Sequence, residues 1–198
     1  NDAKIVGKLP KKKIKYISDH SENVDGNTLL VINQNKNFKL SYLKEAISKN
    51  LHTIITNVFL KKCSLNQVIV KDLDSAISRL IKIRQPALPK VSVAITGTNG
   101  KTSVSWYLHQ LLLLKKLNSS YVGTIGEYYK KNKKSSLEIT TPDICSLFKI
   151  ANNHAQKNSK YFIFEASSHG IDQKRIEGLP INIAVITNIS KDHLDYHK

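Results

Sequence analysis

From Ile14 to about Ile83, short apolar runs of strand type alternate with segments of helical periodicity. Thr28 to Ile32 and His52 to Thr56 read as strands, and Tyr42 to Lys49 and Leu73 to Ile83 as helices. The alternation predicts a small α/β unit. The following stretch, Arg84-Gln85-Pro86-Ala87-Leu88-Pro89-Lys90, has two prolines and little periodicity. It reads as a domain boundary, dividing the chain into residues 1–88 and 89–198.

Beyond the boundary the β-loop-α alternation strengthens. Val91 to Thr96 is an apolar strand, Gly97 to Gly100 a turn, and Lys101 to Leu117 a helix. Ser120 to Ile125 is a second strand, and the lysine-rich Tyr129 to Ser136 a hairpin tip. Pro142 follows Thr140 and Thr141 and opens a helix running to about Gln156. Tyr161 to Ala166 and Ile181 to Thr187 are continuous apolar runs, as expected of parallel strands covered on both faces. The expected fold is α/β: a small amino-terminal α/β domain, then part of a doubly wound, mostly parallel sheet whose ligands sit at the carboxyl ends of its strands.

Composition narrows the setting. A chain of 198 residues can bury a core without disulfide or metal staples. Cys63 and Cys145 stand far apart without metal-type spacing, which fits a reducing, cytoplasmic compartment. The most leucine-rich stretch, Leu111 to Leu114, is closed by Lys115 and Lys116, so no membrane insertion is expected. With no methionine and Asn1 in first place, the chain is expected to be a piece of a longer protein.

The net charge of +16 raises the alternative of a lysine-rich nucleic-acid-binding module. Of the 31 bases, however, only Arg79, Arg84 and Arg175 are arginines, and base-edge readers lean on arginine. The scattered lysines read as solvated surface, and no nucleic-acid partner is expected.

The strongest chemical signal is Thr96-Gly97-Thr98-Asn99-Gly100-Lys101-Thr102, where a strand ends and a helix begins. That junction supplies free backbone N–H groups, the positive end of a helix dipole, a lysine for phosphate oxygens and a hydroxyl for Mg²⁺. The standard phosphate-loop spacing calls for glycine at position 95, where this chain has Ile95, so the loop is a shortened variant.

Phe164-Glu165-Ala166-Ser167-Ser168-His169 places a carboxylate at the end of an apolar strand. Beside a phosphate loop, Glu165 reads as a second oxygen ligand for Mg²⁺ rather than a helix cap or a lysine's partner. A serine hydrolase elbow fits less well, because Ala166 stands where the glycine before Ser168 belongs. His193 and His197 are four residues apart, as in some zinc sites, but Leu194 occupies the zinc-protease glutamate position. By spacing alone the pair reads as a solvated or hydrogen-bonded helix start.

The run Gly97-Thr98-Asn99-Gly100-Lys101-Thr102 resembles the ATP loop of the Mur ligases, ATP-dependent enzymes that add amino acids to the peptidoglycan precursor, and of their folylpolyglutamate synthetase relatives. Three further ordered runs are similar to motifs of the branch that adds the third peptide residue. They are Thr140-Thr141-Pro142-Asp143, then Glu165 to Gly170 with Gln173 and Arg175, then Thr187 to His197. The resemblance is specific over Val91 to Lys198 and looser over Ile14 to Ile83. There His20-Ser21-Glu22 stands where the family has Asp-Ser-Arg, so only Ser21 carries over.

The resemblance implies an amino-terminal domain for a UDP-linked substrate, and ATP and Mg²⁺ as cofactors. Gly97, Thr98, Asn99, Gly100, Lys101, Thr102 and Ser103 would hold ATP; Thr102, Glu165 and His193 would surround the metal; and Lys101, Glu165 and His193 would be catalytic. Ser21, Thr140, Thr141, Ser167, Gln173 and Arg175 would contact UDP-N-acetylmuramoyl-dipeptide. A diamino acid, either meso-diaminopimelate or L-lysine, would be the second substrate of a monomeric enzyme. In the implied reaction a substrate carboxylate becomes an acyl phosphate and an amine displaces phosphate to leave an amide. Family members continue well past this chain's last motif, so residues 1–198 alone are not expected to ligate.

Overall fold

The computed structural model describes residues 3–8, 14–33, 39–84, 87–191 and 194–197. The chain forms two compact units, Asn1–Ile83 and Arg84–Lys198.

The first unit is a five-stranded sheet in the order β1-β5-β4-β3-β2. Its strands are β1 (Lys4–Val6), β2 (Tyr16–Ser18), β3 (Thr28–Ile32), β4 (Thr53–Thr56) and β5 (Asn66–Ile69). Strands β2 to β5 run parallel and β1 closes one edge antiparallel. The central strands β3 and β4 are buried along their whole length. Helix α1 (Leu40–Ser48) presents Leu43 and Ala46 to a core shared with Leu30, Ile32, Leu51, Ile54 and Leu60. Burying each such aliphatic side chain contributes roughly 1.5–3 kcal/mol. Gln67, buried among them, satisfies both ends of its amide on the backbone N–H and C=O of Leu60, at 2.9 and 3.0 Å. Helix α2 (Leu73–Arg84) completes the unit.

The second unit is built on a six-stranded sheet in the order β11-β6-β10-β7-β8-β9. Strands β6 (Val91–Thr96), β7 (Ser119–Gly123), β10 (Tyr161–Glu165) and β11 (Ile183–Ile186) run parallel. The hairpin strands β8 (Gly126–Tyr129) and β9 (Asn132–Ser135) extend the sheet antiparallel. Helices α3 (Lys101–Leu114), α4 (Ile144–Gln156), α5 (Ser168–Asp172) and α6 (Leu194–His197) complete it. None of the helices among the described residues is long and apolar enough to cross a membrane.

The two-residue repeat of a strand decides what each face carries. Val93, Ile95 and Ile163 cluster with Leu108 and Leu112 of α3. Phe162 and Phe164 point the other way, their ring centroids 5.5 Å apart, with His154 of α4 edge-on to Phe162 at 6.3 Å. Glu165, two residues beyond Ile163, therefore emerges on the α3 side at the carboxyl end of its strand.

Several boundaries differ from the sequence expectation for local reasons. Helix α4 starts at Ile144 rather than Pro142, because the Asp143 carboxylate accepts from Ser146 N at 2.9 Å and caps the first turn. Helix α3 ends at Leu114 rather than Leu117, since Lys116 turns left-handed (φ 59°) and Leu117 N closes back on Leu112 O. The hairpin turn is confined to Lys130 and Lys131, and the lysines after it form β9. Strand β11 is shorter than Ile181 to Thr187, and within residues 1–198 its Ile183 and Ile186 are 50% and 61% exposed. The short strands β1, β2 and β5 have no counterpart in the periodicity.

Candidate functional site

The carboxyl ends of the four parallel strands β11, β6, β10 and β7 lie side by side and deliver the site. From β6 the chain enters the turn Gly97 to Gly100 and then α3, whose first residue is Lys101. Gly97 (φ 133°) and Gly100 (φ 83°) adopt the left-handed backbone that glycine tolerates. A Cβ on Gly97 would overlap Thr187 Oγ1 and lie 2.8 Å from Asn188 O, so backbone packs on backbone here.

The segment following β11 braces this loop. Asn188 closes a two-way amide contact on Asn99, accepting from its N–H at 3.0 Å and donating to its carbonyl at 2.9 Å. Thr187 Oγ1 donates to Asn99 O at 2.6 Å, and Thr98 N donates to Asn188 O at 3.0 Å. Thr98 Oγ1 accepts from Ser190 N at 3.0 Å. Lys101 Nζ curls over the loop onto the carbonyls of Gly97 (2.6 Å) and Thr98 (3.0 Å). An ammonium, the dipole of a fourteen-residue helix and a glycine turn thus converge on one spot. Ser103 lies exposed in the helix's first turn.

Across from the loop stands Glu165, fully buried. Its Oε2 accepts from Thr102 Oγ1 at 2.9 Å and from Thr124 Oγ1 at 3.1 Å. Its Oε1 accepts from Thr124 N at 3.0 Å and from the Tyr121 hydroxyl. Burial, and then the Glu165 carboxylate, push the Tyr121 phenol well above its ordinary range. A Cβ on Gly123 would overlap both Glu165 Oε1 and the Tyr121 hydroxyl, so this glycine lets the two meet. The paired oxygens of Thr102 and Glu165 are hard donors, suited to Mg²⁺ rather than to a softer metal.

A second group of predicted residues gathers next to Glu165. Thr141 is completely buried, its hydroxyl donating to Glu165 O and accepting from Ser167 N, both at 2.9 Å. Its Oγ1 also lies 3.1 Å from Ser167 Oγ, and Ser167 Oγ caps α5 by accepting from Gly170 N at 3.1 Å. Arg175 donates through Nη1 to Thr141 O at 2.8 Å and through Nε and Nη2 to Gln173 Oε1. Thr140 Oγ1 lies 3.2 Å from Thr124 Oγ1, joining this group to the carboxylate's ligands. Thr140, Thr141, Ser167, Gln173 and Arg175 thus form one hydrogen-bonded neighbourhood.

Ser21 belongs to the first unit, where it donates to Glu45 Oε2 at 2.7 Å. Lys49 and then Ser21 hold the Glu45 carboxyl below its ordinary range. His193 lies outside the described residues. Sequence reasoning missed Tyr121, Gly123 and Thr124, and it assigned no role to Thr187 or Asn188. The signal for the first three is the Tyr-Val-Gly-Thr run at a strand end beside the one carrying Glu165, which requires knowing that β7 and β10 are neighbours.

Residues 95–198 match the family model described as the Mur ligase middle domain. The UDP-N-acetylmuramoyl-L-alanyl-D-glutamate–2,6-diaminopimelate ligase of Rickettsia montanensis is 39% identical over 190 residues, 93% of this chain and 40% of the relative. The ligase of the same name from Rickettsia conorii is 38% identical over 197 residues, 98% of this chain and 38% of the relative. The chain therefore spans about two fifths of the length of the curated relatives it matches. A solved UDP-N-acetylmuramoyl-L-alanyl-D-glutamate–2,6-diaminopimelate ligase superposes with a TM-score of 0.78 at 25% identity, covering 97% of this chain and 39% of that one. The MurF ligase of Thermotoga maritima in complex with ADP shares the fold, with a TM-score of 0.61 at 16% identity over 92% of this chain and 39% of its own.

Proposed function

The chain belongs to the Mur ligase family, and from that premise we propose that it is the amino-terminal part of the ATP-dependent ligase that adds a diamino acid to UDP-N-acetylmuramoyl-L-alanyl-D-glutamate. Residues 1–88 would bind the UDP-linked substrate and residues 89–198 would begin the ATP-binding domain. The relatives' names make 2,6-diaminopimelate the favoured amine. The observation that carries this reading is the bond from Thr102 to Glu165 at the mouth of a glycine turn that Asn188 holds rigid.

The residues fit the nucleotide and metal. The Lys101 ammonium and the amino end of α3 converge on the glycine turn, and hydroxyl and carboxylate oxygens line the adjoining strand end. When bound, ATP supplies the phosphoryl group that activates the substrate's carboxylate, and Mg²⁺ supplies positive charge at the phosphates. Thr102 and Glu165 would hold the metal, with His193 as a further candidate. Two anions must approach each other in this reaction, so charge placement outweighs any covalent role for the protein. Lys101 meets that need from the loop side. Its ammonium rests on the carbonyls of Gly97 and Thr98, within the turn that would receive the phosphates.

Thr140, Ser167, Gln173 and Arg175 would contact the UDP-sugar-dipeptide, while buried Thr141 would act by holding Ser167 and Arg175 in place. The Arg175 guanidinium is already oriented by Thr141 O and Gln173 Oε1, a pre-set fork for a carboxylate or phosphate. In the full-length protein, phosphate release from ATP should require both the UDP-dipeptide and the diamino acid. Release that is indifferent to the UDP-dipeptide contradicts the reading.

A further inference from the structure

The two oxygens of Glu165 are held by different kinds of donor. Oε2 accepts from the side-chain hydroxyls of Thr102 and Thr124, which rotate about a single bond. Oε1 accepts from Thr124 N, fixed by the backbone, and from the Tyr121 hydroxyl, fixed by its ring. Tyr121 has no freedom to leave. It is fully buried in β7, registered between Ile163 of β10 and Tyr128 of β8. Its ring packs edge-on against Trp106 of α3 at 5.5 Å and against Tyr128 at 6.2 Å. Gly123 supplies the clearance for this contact, because any side chain there would overlap both partners.

We propose that Tyr121 is a positioning residue of the nucleotide site: with Thr124 N–H it locks Oε1 of Glu165, so that the carboxylate offers Oε2 alone to the metal beside Thr102. This rests on the reading of Glu165 as a metal-holding carboxylate. The physical gain is geometric. Mg²⁺ demands near-octahedral coordination and takes few protein oxygens beside phosphate and water, so a carboxylate that cannot swing to chelate through both oxygens preserves that arrangement. Partners that orient a metal ligand typically change metal affinity 10–100-fold when removed. Tyr121 reaches Glu165 because parallel pairing sets it opposite Ile163, two residues before the carboxylate on the same face.

The test uses the full-length protein and measures Mn²⁺, as a stand-in for Mg²⁺, by loss of its free EPR signal in the presence of ADP. ADP affinity without metal is measured alongside, and circular dichroism checks folding. Tyr121→Phe keeps the ring and removes only the hydroxyl. Gly123→Ala disturbs the same contact from the backbone side, so it carries the test if Tyr121→Phe does not fold. Each should weaken Mn²⁺ binding roughly tenfold and leave metal-free ADP affinity within about twofold. In a Glu165→Ala background, Tyr121→Phe should add nothing further, since it acts only through that carboxylate. If Glu165→Ala weakens Mn²⁺ binding and neither other variant does, the role of Tyr121 is overturned and that of Glu165 stands. If Glu165→Ala itself leaves Mn²⁺ binding unchanged, both are overturned.

Discussion

Thr102 Oγ1 donates to Glu165 Oε2 across 2.9 Å, tying the first turn of α3 to the carboxyl end of a strand 63 residues later in sequence. The bond joins the glycine-turn side of the site to its carboxylate side. Replacing Glu165 by Gln keeps the volume but removes the charge and turns an NH₂ group toward donors already in place. Ligation by the full-length E165Q enzyme should fall on the order of 10²-fold, as for other losses of a charge-stabilising group. Steady-state phosphate release checks this, and a rate close to wild type contradicts the assignment.

Gly97→Ala tests the loop's backbone. At φ 133° a side chain is strained, and its Cβ would lie 2.8 Å from Asn188 O and 3.0 Å from Asn188 N. Strain of this kind costs roughly 1–3 kcal/mol. Relief by moving the loop would pull Asn99 from Asn188. Calorimetric titration should show ADP affinity reduced about tenfold or more, with a lowered melting temperature in the same sample.

His109 gives the second unit a pH dependence. Its ring is buried between Ser119 Oγ and Lys130 O, each 2.9 Å away. Burial, with a smaller contribution from the charge of His154, lowers its pKa below the ordinary 6.5, against the raising effect of the Lys130 carbonyl. The unfolded chain takes up a proton near that ordinary value while the folded imidazole resists it. Its contribution to stability is therefore complete above the unfolded pKa and is lost as pH falls toward the lower folded value. Urea unfolding at about pH 7.5 and about pH 5.5 should show a drop in stability for wild type and a smaller drop for His109→Gln. Equal drops contradict this account of the ring.

What the sequence disclosed follows from how local each signal is. The glycine turn, Lys101 and Thr102 are contiguous and sit at a strand-to-helix junction, so their arrangement could be read from spacing. Glu165 was recognisable as a strand-end carboxylate. Its face was not, because that depends on which neighbours β10 acquires. Tyr121 and Thr124 escaped notice for the same reason: β7 is adjacent to β10, but about forty residues of chain separate the contacting groups. Asn188 stood within a recognised motif, yet its amide's partner, Asn99, lies 89 residues earlier. Local chemistry also displaced a boundary, since the Asp143 cap sets the start of α4 at Ile144 rather than Pro142. The apolar run of β11 suggests a covered strand, and covering needs a layer packed on it: within residues 1–198 Ile186 is 61% exposed.

The most direct test of the site is Lys101→Ala in the full-length protein. The ammonium reaches the carbonyls of Gly97 and Thr98 at 2.6 and 3.0 Å, and its loss leaves the backbone contact from Ser105 Oγ to Lys101 O in place. The measurement is the rate of ATP-dependent amide formation on UDP-N-acetylmuramoyl-dipeptide, with folding verified by circular dichroism. The expected result is a loss on the order of 10²-fold or more, because on the proposed reading the charge that would face the transferred phosphoryl group is gone. A folded variant that ligates within about tenfold of wild type contradicts the assignment of Gly97 to Thr102 as the ATP loop.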